Sequence, residues 1–148
     1  MKKLFLLGAL AAVLSLPAQA ALNIIATVPE WAALARELGG SRVTVNSATT
    51  GLQDPHRIEA KPSLIAKARA ANLVVATGAE LEIGWLPVAL RESGNRTIQP
   101  GMPGYFEAAA AVTMLDVPKV LDRAHGDVHA AGNPHIQTDP RNIQRVAD

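Results

Sequence analysis

Hydrophobic positions along this chain fall into short continuous runs separated by stretches with helical spacing. Leu22, Ile24, Ile25 and Val28 form a run with little polar interruption, the pattern of a strand buried on both faces. Pro29 is suited to the first position of a helix, and Trp31, Leu34, Ala35 and Leu38 then recur at i, i+3, i+4 and i+7 to make one apolar face. Gly39-Gly40 ends that helix. Arg42 to Asn46 reads as a second strand with Val43 and Val45 on one side. Pro62 and Ser63 start a further helix carrying Leu64, Ile65 and Ala68, and Leu73 to Ala76 is a short buried strand broken by Gly78. Glu80 to Arg91 is helical in pattern, with Leu81, Trp85 and Val88 on one face, and Pro87 should kink or restart it. Arg96 to Gln99 reads as a fourth strand, ahead of the turn-rich Pro100 to Gly104. The alternation β-α-β-α-β-α-β predicts an α/β fold, a parallel β-sheet flanked by helices.

The remainder is less regular. Ala108 to Val112 suits a helix and Val112 to Val117 a strand, whereas His125 to Gly132 reads as loop. Asp139-Pro140 has the form of an N-cap followed by proline at N1, so Arg141 to Asp148 should begin a helix. A helix of two turns at a chain end has little to pack against. The expectation is therefore that residues 21–148 are one lobe of a longer protein, with a second lobe following Asp148.

The first 20 residues change the picture of charge and location. Lys2 and Lys3 precede an apolar run from Leu4 to Leu16; Pro17 breaks it, and Ala18-Gln19-Ala20 supplies small residues at −3 and −1. This is the layout of a Sec signal peptide cleaved after Ala20, with a periplasmic destination, and the run is short for a membrane anchor. Loss of Lys2 and Lys3 leaves 12 basic against 13 acidic residues, a net charge near −1. No basic patch is left to attract nucleic acid. The chain has no cysteine, which excludes disulfide support and thiolate metal sites, so any metal must be held by His, Asp or Glu.

Two short stretches carry the candidate chemistry. Asp54-Pro55-His56 and Asn133-Pro134-His135 each set a histidine beside a proline in a loop, 79 positions apart. Imidazole is the commonest protein ligand for transition metals, and a neighbouring proline partly fixes its setting. The loop with His56 follows the second strand, where open α/β sheets place their ligands. Each histidine taken alone would pass for a solvated loop residue; the repeated grammar makes His56 and His135 the candidate metal ligands. His125 and His129, in H-G-D-V-H, could share a helix face and bind zinc, but Gly126 and the polar surroundings favour a mobile, solvated loop outside the main site, one that could capture metal weakly. Asp54 reads as a turn residue or a partner orienting an imidazole, and Asp139 as a cap. Trp31 and Trp85 read as core. No phosphate loop, G-x-S-x-G or H-E-x-x-H motif is present.

At these residues the chain resembles the metal-binding solute-binding proteins of bacterial ABC importers, the cluster that takes up zinc or manganese. Their first ligand lies in D/E-P-H followed by P-S, matched here by Asp54-Pro55-His56 and Pro62-Ser63. Their second lies in N-P-H-x-W-x-D-P, matched by Asn133-Pro134-His135 and Asp139-Pro140. Gly78, Leu81-Glu82 and Trp85 resemble the segment after the third strand. The chain departs from the pattern at Ile58, where an aromatic is usual, and at Gln137, where tryptophan is usual. The resemblance implies two α/β lobes joined by a rigid helix, with His56 and His135 as the ligands from the first lobe and the rest from the second. It implies a monomeric periplasmic binding protein, not an enzyme, that delivers its ion to an ABC permease in the inner membrane. Imidazole ligands favour Zn2+ over Mn2+, and binding should weaken as the imidazoles protonate, below about pH 6.5. The competing readings are an exported zinc hydrolase using Glu59 as base, and a manganese-specific binding protein or adhesin on the same fold.

Overall fold

The computed structural model describes residues 20–121 and 128–148. The signal-peptide reading and His125 lie outside the described residues. Four parallel strands form one sheet: β1 (Leu22–Ala26), β2 (Val43–Ser47), β3 (Leu73–Ala76) and β4 (Tyr105–Glu107), in the order β2-β1-β3-β4. The helices are α1 (Pro29–Gly39), α2 (Pro62–Ala70), α3 (Leu86–Ser93) and α4 (Pro140–Ala147). Proline stands in the first turn of all four, where the missing N–H has no helical partner to lose. Among the described residues, no helix is long and apolar enough to cross a membrane.

Both faces of the sheet are buried, which is why its strands read as continuous apolar runs rather than alternating ones. Ile24, Ala26 and Val75 point to one side and pack with Trp31, Ala32, Leu81, Ala108 and Ile136, joined by Ile143 and Val146 of α4. Ile25, Val74 and Ala76 point to the other and pack with Ala68 of α2, Trp85 just before α3, Leu86 and Leu90 of α3, and Ile98 of the turn after it.

Three expectations need correcting. The fourth strand is Tyr105–Glu107, and Arg96–Ile98 is a 3-10 turn. Asn95 caps that turn, its side-chain oxygen accepting from Thr97 N–H, and so competes with a ladder. Residues 112–117 form no strand. The helix expected over Glu80–Arg91 is a series of turns to residue 85, with the helix restarting at Leu86 and Pro87 in its first turn. The restart shifts the helical phase. Leu81 and Trp85 are buried as predicted, but Val88, meant to share their face, is exposed. The cap at the start of α4 is as read: Asp139 accepts from the backbone N–H of Arg141 at 2.9 Å.

Candidate metal centre

The switch point of the sheet lies between β1 and β3, the pair from which the chain runs outward in both directions. Its carboxyl end is not an open crevice. The buried carboxylate of Glu82 fills it, Oε1 accepting from Thr27 Oγ1 at 2.5 Å and Thr77 N at 2.8 Å, Oε2 from Gly78 N at 3.1 Å. Thr77 Oγ1 accepts from the indole N–H of Trp31 at 2.9 Å, and Thr49 Oγ1 donates to Thr27 O at 2.8 Å. The sequence marks Glu82 only through the resemblance; a lone acidic residue between Leu81 and Trp85 gives no sign of such a plug.

From this plug the turns of residues 78–85 reach the first histidine loop. The Trp85 indole donates to Pro55 O at 2.8 Å. At Gly84 a Cβ would stand 3.2 Å from the His56 carbonyl oxygen, so the loop rests directly on backbone there. Ile58, in place of the family's aromatic, packs with Ala60 and Leu64 against the core of that side.

The repeated grammar of the two stretches has one geometric cause. The Asp54 carboxylate accepts the backbone N–H of His56 at 3.0 Å, and the Asn133 side-chain oxygen accepts that of His135 at 3.0 Å. In each, an Asx side chain bridges a proline to cap the residue two positions on. Asp54 does more, because its Oδ1 also lies 2.8 Å from His56 Nδ1. These contacts, the backbone hydrogen bond first and then that to the ring, hold the Asp54 carboxyl below its ordinary pKa. An ionised Asp54 keeps the proton on Nδ1 and presents the Nε2 lone pair outward, the usual support of a metal-bound histidine. Asn133 is itself held, its N–H donating to Leu115 O at 2.8 Å and its amide to Asp116 Oδ2 at 3.3 Å.

His56, His129 and His135 line one pocket of about 410 Å³ together with Asp116, Pro118, Gly132 and Pro134. The rings of His56 and His135 stand 5.6 Å apart, edge to face. The structure thus brings together the two histidines expected from sequence. It also brings in His129, which the sequence reading left outside: its ring stacks on His56 at 5.2 Å, with Nε2 3.2 Å from Nε2. Contacts to residues distant in sequence, such as Ala130 N–H to Glu80, leave no local signal for that approach. Among the described residues, no three His, Asp or Glu side chains converge on a single point that could hold an ion. Glu59, the base of the hydrolase reading, lines a different pocket, with Arg57 and Lys61. Gln137, where the family has tryptophan, leaves its buried Oε1 without a hydrogen-bond partner.

Comparison with known proteins agrees with this architecture. Residues 24–148 match the family described as ZnuA, the zinc-uptake complex component A, periplasmic. No curated protein matches the sequence. A crystal structure of ZnuA is 26% identical, with a TM-score of 0.66 over 86% of this chain and 43% of that one. A zinc-bound deletion mutant of ZnuA is 28% identical, with a TM-score of 0.67 over the same shares of 86% and 43%. An Mn-bound periplasmic metal-binding protein from Candidatus Liberibacter asiaticus, 15% identical, shares the fold with a TM-score of 0.64 over 84% of this chain and 41% of that one. The chain spans less than half the length of these structures.

Proposed function

From the premise that this chain belongs to the ZnuA family of periplasmic metal-binding proteins, we propose that it captures zinc through His56 and His135 for delivery to an ABC permease. One observation carries the ligand assignment. His56, its Nδ1 held by the Asp54 carboxylate at 2.8 Å, faces the same pocket as His135, with ring centres 5.6 Å apart. Two imidazoles on one tetrahedral ion, with Zn–N of about 2.05 Å and about 1.15 Å from nitrogen to ring centre, have centres about 5.2 Å apart. The observed separation is close to that value, and the His135 side chain is exposed.

Imidazole donors favour zinc over manganese, which prefers oxygen. The family match supports a binding protein over the hydrolase reading, and Glu59, the base that reading names, lines a different pocket from the histidines. Further ligands come from a second lobe. Leu115 and Val117, beside the Asn133 and Gly132 backbone, are exposed apolar side chains that such a lobe would cover.

Titration of the full-length protein with zinc against a chromophoric chelator tests the assignment. Replacing His56 and His135 together by alanine should abolish competition with the chelator. Undiminished zinc binding by that double variant would refute it.

A further inference from the structure

We propose that the loop leading into His56 and the start of α2 form the surface on which this lobe docks the permease, and that the permease face it meets is acidic. The inference rests on the delivery reading above and adds the place and the chemistry of the contact. A pocket of about 380 Å³ opens beside the carboxyl end of β2 and shares no lining residue with the histidine pocket. Asp54 joins the two: it lines this pocket, and its carboxylate holds His56 in the other. Arg57, Lys61 and Lys67 stand in the wall against Asp54 and Glu59. On a chain whose charge past position 20 is near −1, that is a local excess of cation. Among the described residues, Lys61 and Lys67 make no ion pair, and Arg57 pairs only with Asp54, at 3.7 Å. Lys61 stands at the start of α2, whose first turn holds no acidic residue. A cation there opposes the helix dipole, so the fold gains no stability from its charge, whereas binding to an acidic partner would.

Leu52 makes this a surface for a protein rather than for a small anion. It is 100% exposed, one residue before Gln53 of the pocket wall. The turn that presents it is fixed from both sides: Gln53 N–H donates to Thr50 O at 3.1 Å, and Thr50 N–H to Gln53 Oε1 at 2.9 Å. The chain continues through the Asp54 cap on His56, with Arg57 N–H donating to Asp54 O at 3.1 Å. An apolar side chain held out on an ordered turn, with free cations at its edge, has the make-up of a protein contact: an apolar centre, a charged rim and little ordering cost on binding. The occupant is the permease because the contact engages the loop that holds the ion. Docked there, it touches residues on either side of His56 and leaves the histidine pocket clear.

The test uses the zinc-loaded full-length protein and the ABC permease of the same bacterium reconstituted in nanodiscs. Binding to the nanodiscs and stimulation of ATP hydrolysis are measured at low and at physiological salt. Lys61→Glu combined with Lys67→Glu should weaken docking at least about tenfold and flatten its salt dependence, and the double glutamine variant should fall between it and the wild type. Leu52→Ser should weaken docking about tenfold or more, the effect of removing one buried leucine from a contact. Zinc affinity, read by chelator competition, should stay at the wild-type value in all three. If all three dock as the wild type does, this inference fails and delivery stands. If the wild-type protein itself does not dock, delivery fails and the surface falls with it. Loss of zinc affinity along with docking would place the surface against the second lobe. A changed oligomeric state of the protein with docking intact would place it against a second copy. Either result overturns the inference.

Discussion

Glu82→Gln isolates the plug at the head of the sheet, because it keeps the volume and removes only charge and one acceptor. The carboxylate takes three hydrogen bonds with two oxygens while only 3% exposed. An amide can place its oxygen toward Thr27 Oγ1 and Thr77 N, which turns its NH2 onto the Gly78 N–H, now 3.1 Å from Oε2. The flipped amide is worse, setting NH2 against two donors. Either way at least one buried N–H loses its acceptor and meets another donor. An unsatisfied buried donor costs about 1–3 kcal/mol, and hydrogen bonds to a charged acceptor lie at the upper end. Water cannot relieve a site this enclosed, so the expected loss is about 2–3 kcal/mol. That is a large share of a stability of about 5–15 kcal/mol. The turns that carry Gly84 and Trp85 to the His56 loop start at this plug, so zinc affinity should fall with stability. Urea unfolding of wild type and variant, followed by tryptophan fluorescence, measures the difference. A change below about 0.5 kcal/mol with unaltered slope would refute the claim that this network holds the strand ends together.

Three further outcomes follow from single contacts. Asp54→Asn keeps the acceptor for His56 N–H but removes the charge behind Nδ1, and chelator competition should show zinc affinity reduced about 10–100-fold. Asp139 is held down to about 2 by the Arg141 side chain and N–H. A depressed carboxyl adds stability above its unfolded value of about 3.9, lost as pH falls toward 2, so Asp139→Asn should flatten the acid limb of thermal melts in that window. Burial pushes the Tyr105 hydroxyl up to about 12, with Glu107 and Glu82 adding to it. A raised phenol adds stability that is complete below about pH 10 and lost as pH climbs to 12, so Tyr105→Phe should lessen alkaline destabilisation over that range.

The parts of the fold that could be read from sequence are those where one residue dictates local geometry. Prolines 29, 62 and 140 announce helix starts, and the apolar runs of β1 and β3 announce a sheet buried on both faces. Reading fails where a side chain competes with a backbone ladder. Asn95 turns Arg96–Ile98 into a capped 3-10 segment, and Pro87 restarts a helix whose spacing looks continuous. For the site, Asp54-Pro55-His56 and Asn133-Pro134-His135 are visible because the same Asx cap builds both. The placement of His129 beside His56 is not legible because its segment is tied to Glu80 and Leu115, neither near it in sequence. Glu82 is invisible because a buried carboxylate is legible only from the donors that converge on it.

The plug explains why the candidate ligands sit on long loops and not at the switch point itself. In an open α/β sheet the loops and helix N-termini beyond the carboxyl ends of the central strands gather free backbone N–H groups, which attract anions. Such a place suits a phosphate and repels a cation. Glu82 supplies the negative charge internally: it neutralises the N–H groups of Thr77 and Gly78 and ties β1 to β3 through Thr27. The strand ends become a rigid platform without an anion site. The loops beyond it are then free to present lone pairs instead of N–H groups. Trp85 and Gly84 carry that rigidity to His56, and Asp54 sets the ring tautomer. The same kind of sheet end that elsewhere receives anions is converted, by one internal carboxylate, into a support for the histidine loops.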